Sequence, residues 1–67
     1  MNISELRVEM ARQNISIPQL AKKMGVSKKL IYSRFKGKTP FTQPEIYSIS
    51  QILKLDNNAI MNIFFAA

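Results

Sequence analysis

Residues 19–31, Gln19-Leu20-Ala21-Lys22-Lys23-Met24-Gly25-Val26-Ser27-Lys28-Lys29-Leu30-Ile31, decide the fold. Leu20, Ala21 and Met24 recur at helical spacing and mark a buried face. Gly25 follows where a helix end takes a residue with positive φ. Ser27, a favoured N-cap, restarts the chain into a second helix over Lys28–Phe35. Small Ala21 lets the two helices approach, Val26 plugs the angle between them, and Ile31 locks the second helix onto the first.

Working outward, capping residues divide the rest of the chain in the same way. Asn2-Ile3-Ser4-Glu5 reads as a capping box, with Ile3, Leu6 and Met10 as an apolar stripe on a helix ending near Gln13. Ser16-Ile17-Pro18-Gln19 repeats the device, with proline tolerated in the first turn. The helix from Lys28 ends at Gly37, and Lys38-Thr39-Pro40-Phe41 is a connector. Thr42-Gln43-Pro44-Glu45 is a third capping box, ahead of a stripe of Ile46, Ile49, Ile52 and Leu53. Leu55-Asp56 closes that helix and caps the last, which runs from Asn57 to about Phe65. Ile46-Tyr47-Ser48-Ile49-Ser50 does not alternate, so no strand competes. The reading is one all-α domain of five helices over residues 1–67, without linker or repeat.

Composition narrows the function. A chain of 67 residues buries only about 60% of the surface its unfolded form exposes, so its stability margin is thin. With no cysteine and no histidine there is no disulfide, no thiolate metal site and no imidazole base. Three of the four carboxylates (Glu5, Glu45, Asp56) sit where a cap or first turn wants one, and no GxxxxGK[ST], GxGxxG or HExxH motif occurs. The expectation is therefore no catalysis, no metal, no cofactor and no small-molecule substrate. No basic-then-apolar leader opens the sequence and no apolar run approaches the roughly 20 residues of a membrane span. A reducing cytoplasm fits these features.

Charge points to a polyanion. Ten Lys+Arg against four Asp+Glu give a net +6. Lys22, Lys23, Lys28, Lys29, Arg34 and Lys36 fall within residues 22–36, and no acidic residue lies between Glu9 and Glu45. Such a segment creates a positive field. A merely solvated surface is the bland alternative, and the helix pattern beneath the charge argues against it.

Two short helices joined by a glycine turn form a helix-turn-helix, here over about residues 17–35. The LAxxxGVS core of residues 20–27 resembles the Cro/C1-type (XRE-like) helix-turn-helix family of phage repressors and Cro proteins. The stretches Phe35–Ile46 and Ile63–Ala66 are similar to small prophage regulators of Gram-positive bacteria. The resemblance covers nearly the whole chain. It implies a five-helix lambda-repressor-like DNA-binding domain and a sequence-specific regulator in the cytoplasm of a bacterial host. It further implies that the third helix enters the major groove of double-stranded DNA.

The helical wheel then selects the reading residues. Ile31 and Phe35 define the buried side of the third helix, with Leu30 flanking. At about 100° per residue, Lys29, Tyr32, Ser33 and Lys36 lie opposite, with Lys28 at the N-terminal shoulder. In the family such positions meet base edges. Lysine donates to guanine O6 and N7, Ser33 pairs with several bases, and Tyr32 meets a thymine methyl or a phosphate, unless it is a packing or surface aromatic. Phosphates are expected at helix N-termini, from Ser16, Ile17 and Ser27, and around the connector, from Lys38, Thr39, Thr42 and Arg34. Lys22 and Lys23 read as solvated surface.

Two departures from the family pattern stand out. Many members carry Gln where this chain has Ile17, so one polar contact is forfeited. Many also bridge the first helix and the end of the third with an Arg–Glu pair, and here the places fall on Met10 and Phe35, an apolar substitute. Arg34 then lies near the buried margin, open to pairing with an acid or reaching a phosphate.

The last helix carries more apolar residues than one core needs. Ala59, Ile60, Ile63 and Phe64 can face inward, while Met61 and Phe65 form a second stripe. A symmetric homodimer through Met61, Phe64, Phe65 and the tail is expected, unless these residues complete a monomer core. A Cro-like regulator complete at 67 residues leads, ahead of the DNA-binding domain of a longer repressor. An antirepressor or protein-interaction module on the same fold is the alternative class.

Overall fold

The computed structural model describes residues 1–65. Its helices are α1 (Ile3–Arg12), α2 (Ile17–Met24), α3 (Lys28–Phe35), α4 (Gln43–Ile52) and α5 (Asn57–Phe64). No strand occurs among the described residues. The side chains of Asn2, Ser16, Ser27, Thr42 and Asp56 each accept the amide three residues on, at the N-caps read from the sequence. Full capping boxes form at Ser16–Gln19 and Thr42–Glu45. At α1 the box is one-sided. Asn2 N–H donates instead to the Ile63 carbonyl at 2.6 Å, which pins the start of α1 to the end of α5.

Four helices end in the same way. A residue with positive φ (Asn14, Gly25, Gly37, Lys54) is followed by one whose N–H reaches back five residues. The pairs are Ile15 to Met10, Val26 to Ala21, Lys38 to Ser33 and Leu55 to Ser50, at 2.9–3.2 Å. This is the Schellman arrangement, which satisfies carbonyls that the helix end orphans. In three of the four, the residue after the left-handed position is apolar (Ile15, Val26, Leu55), packs against the core and directly precedes the next N-cap. Each therefore closes one helix and stands at the staple position of the next. The α4 helix stops at Ile52, short of the Leu55 read from the sequence, because Lys54 turns left-handed at φ 53°.

One core gathers these faces. Leu6, Leu20, Ile31, Ile49, Leu53 and Ile63 are fully buried. Packing of α2 on α3 and α4, and of α1 on α5, encloses them. Phe41 lies in the connector, yet it is buried between two other rings. Phe35 and Phe41 meet edge-to-face with centroids 6.1 Å apart, and Phe41 and Phe64 do so at 6.0 Å. Such pairs add about 0.5–1.5 kcal/mol beyond area burial. They tie the end of α3, the connector and α5 together. Ser50, buried on α4, donates to the Ile46 carbonyl at 2.7 Å and so carries no unsatisfied group inward.

The left-handed positions predict opposite signs for two substitutions. Around Gly25 there is open space for a Cβ, so Gly25→Ala costs only backbone strain at φ 72°, about 1–2 kcal/mol. Lys54→Gly relieves the same strain and is expected to stabilise by up to about 1 kcal/mol. In a domain of this size each kcal/mol moves Tm by roughly 4–8 °C, so thermal melts of the two variants should shift in opposite directions.

Candidate nucleic-acid interface

Burial of Ile31 and Phe35, with Leu30 half-buried, fixes the rotation of α3. The opposite side of the helix then faces outward. Lys29, Tyr32, Ser33 and Lys36 line one shallow cleft of about 170 Å³, and Lys38 from the connector completes it. Five residues selected from the sequence thus meet in one place. Lys28, the first residue of α3, is exposed but lies outside that lining. Tyr32 is 45% exposed, which removes the core-packing alternative for its ring.

The field over this cleft is uncompensated. Arg12 pairs with Glu9 at 3.0 Å and Arg34 with Glu45 at 2.9 Å. Asp56 caps α5 and Glu5 occupies the first turn of α1. Among the described residues, no carboxylate lies within salt-bridge distance of the exposed Lys28, Lys29, Lys36 and Lys38. Four unpaired ammonium groups on one helix and its following loop form a surface suited to a polyanion.

The residues expected at phosphates are placed in four different ways. Ser16, Ser27 and Thr42 use their side-chain oxygens as caps, but each hydroxyl proton remains free to donate to an anion. Ser16 N–H donates to the Gln19 side chain, Gln19 N–H returns to Ser16, and Pro18 has no N–H. The Ile17 amide is therefore the donor left at the start of α2. The Ile17 side chain is half-buried against the core. Lys38 and Thr39 are exposed on the connector.

Arg34 is placed differently from the phosphate role. Its Nε and Nη2 donate to the two carboxylate oxygens of Glu45, both at 2.9 Å, and Nη1 donates to Thr39 Oγ1. Its side chain is only 15% exposed. Of the two destinations open in the sequence, the structure shows the acid. This fork-to-fork geometry is the strongest form of the interaction. It holds the Glu45 carboxyl below the usual carboxylate range, against the opposing effect of burial and with help from the Thr42 amide. The same contact raises the already high pKa of Arg34.

Sequence reasoning missed Arg7. Its guanidinium lies 5.0 Å from the centroid of the Phe35 ring and lines a hollow of about 200 Å³ with Ser16, Ile17 and Phe35. Arg7 thus adds a cation–π contact to the Phe35 ring. No periodicity flags it, because Arg7 sits at the edge of the α1 stripe. On α5, Phe64 is only 7% exposed and packs on Phe41, so it belongs to the core rather than to a free surface. Met61 and Phe65, at 57% and 56%, are the exposed pair. The tail that completes the expected dimer surface, residues 66–67, lies outside the described residues.

A helix-turn-helix family model matches residues 3–56, from the first residue of α1 to the N-cap of α5. The comparisons with curated proteins and with solved structures give no match. No helix among the described residues is long and apolar enough to cross a membrane.

The Glu45 shift sets a pH dependence. A carboxylate whose pKa falls on folding stabilises the folded state above its unfolded pKa. That contribution disappears as pH drops through the lowered folded value. In denaturant melts, wild type should exceed Glu45→Gln in stability near pH 7. The gap should close as pH falls below about 4, and a gap that is flat with pH would break the argument.

Proposed function

The chain belongs to the helix-turn-helix family, a family of DNA-binding regulatory domains with the lambda-repressor-like fold, and on that premise we propose that it is a sequence-specific transcriptional regulator that reads an operator with α3. The observation that carries this reading is the single cleft shared by Lys29, Tyr32, Ser33, Lys36 and Lys38, with no acid lining it among the described residues. Lys29, Lys36, Ser33 and Tyr32 read base edges from this cleft, with Lys28 at the entrance of the helix. Lys38, Thr39, Thr42, Ser27 and the α2 start at Ser16 and Ile17 hold phosphates.

The whole chain acts as one such domain, a Cro- or repressor-like protein of phage or prophage type working in the cytoplasm of its bacterial host. It needs no cofactor and no small-molecule substrate. Met61 and Phe65 join two copies, so that two α3 helices sit about 34 Å apart on a palindromic site. The exposure of that pair beside a filled core supports the assembly.

Selection from random duplexes at physiological salt tests the reading. Wild type should enrich a palindrome, and Lys29→Ala should relax the preference at a defined base position, at a cost of about 1–3 kcal/mol. With roughly five phosphates neutralised per subunit, log K should fall with log salt at a slope near −4.5 per subunit. Salt-sensitive retention without enrichment would sink the operator claim and favour a protein-interaction module. Sedimentation tests the assembly: Met61→Asp should shift a dimer to monomer without loss of helicity. A monomeric wild type that enriches single half-sites would refute the dimer alone.

A further inference from the structure

The connector between α3 and α4 carries Lys38 and Thr39, yet its backbone is held by little. Gly37 N–H reaches the Arg34 carbonyl at 3.1 Å and Lys38 N–H the Ser33 carbonyl at 3.2 Å. Over residues 38–40, Lys38 N–H is the one amide with a partner in the chain among the described residues. The remaining ties run through one guanidinium. Arg34, in the last turn of α3, bonds both oxygens of Glu45 on α4 and the hydroxyl of Thr39 in between. The Glu45 Oε1 atom also accepts the Thr42 amide at 2.9 Å, and the Glu45 amide returns to Thr42 Oγ1 at 3.3 Å. One ion pair therefore joins the end of α3, the middle of the connector and the cap of α4.

We propose that the Arg34–Glu45 pair is a positioning device for DNA recognition, holding residues 38–42 so that Lys38 shares the cleft of Lys29, Tyr32, Ser33 and Lys36. This rests on the DNA reading above and deepens it. Arg34 acts through the connector and not as a phosphate ligand. Its fork is filled by a carboxylate of equal and opposite charge, on a side chain that is mostly covered. A phosphate would have to displace that carboxylate, and the connector would lose its tie in the exchange.

The sign of one substitution separates the two roles. Glu45→Gln keeps a residue able to complete the capping box with Thr42 but releases the Arg34 charge. Were Arg34 a phosphate ligand held in reserve, the variant would bind every duplex more tightly. Positioning requires the reverse for the selected duplex, whose affinity should fall on the order of tenfold, while affinity for random duplexes holds or rises. In the free protein, amide exchange at Lys38 and Thr42, whose N–H groups bond Ser33 and Glu45, should quicken in Glu45→Gln and in Arg34→Lys by a larger factor than in α1 and α5. Arg34→Lys keeps the charge but not the bidentate fork, so it should follow Glu45→Gln in losing selectivity. A wild type that selects a duplex, with Glu45→Gln binding it equally well or better, overturns the positioning role alone. Unchanged exchange in the connector does the same. A wild type that selects no duplex overturns the DNA reading and this proposal together.

Discussion

The left-handed turn at Gly25, with Val26 and Ser27 behind it, is the constraint on which the remaining structure depends. It stops α2, plugs the corner and caps α3 within three residues, leaving the chain almost no freedom in the angle between the helices. Once the angle is set, burying Ile31 and Phe35 fixes the rotation of α3. A helix with two residues of one face, four apart, already committed inward has no choice about its outer face. The surface proposed to meet DNA is thus a consequence of how the inner face is buried. The glycine matters for its backbone and not for space, since nothing approaches the position its side chain would take.

The same three-residue grammar joins α1 to α2 and, with Lys54, α4 to α5, where a left-handed residue, an apolar residue and a cap follow in order. Between α3 and α4 the grammar is interrupted. Gly37 and the Phe41–Thr42 pair are its ends, and Lys38, Thr39 and Pro40 are inserted between them. The insertion puts a lysine where the other junctions place an apolar residue. It also separates two anchors that the other junctions combine, so the connector needs a tie of its own. Phe41 anchors it from inside through Phe35 and Phe64, and the Arg34–Glu45 pair from outside.

Legibility in the sequence follows from range. Caps, proline at first turns and glycine at helix ends act over three or four residues, so all five helices and the outward face of α3 could be read directly. Left-handed Lys54 could not, since lysine carries no preference for that conformation, and α4 was drawn too long as a result. Phe41 was legible in principle. It stands immediately before an N-cap with Ile46 at the matching position inside the helix, the staple pattern, but a Lys-Thr-Pro context reads as solvent. Phe64 lay both among the four inward candidates on α5 and in the expected dimer surface, and without Phe41 in view the sequence could not choose between the two. Arg7 over Phe35 and Arg34 on Glu45 join residues 28 and 11 positions apart, and no local pattern encodes them.

The basic residues divide by type. The chain has three arginines, at positions 7, 12 and 34. One covers Phe35, one pairs with Glu9 and one holds Glu45. Each guanidinium is engaged in architecture, where a planar, weakly hydrated fork is at its best. The cleft is left to lysines, a serine and a tyrosine. An ammonium group is a compact point charge on a flexible stem, and it does not impose the two-point geometry by which arginine reads guanine. Selectivity from such a set must come from where the groups are held more than from the shape of any one of them. A buried helix face and a tied connector supply that placement, so under the proposed reading the interactions furthest from the base edges decide how well the edges are read.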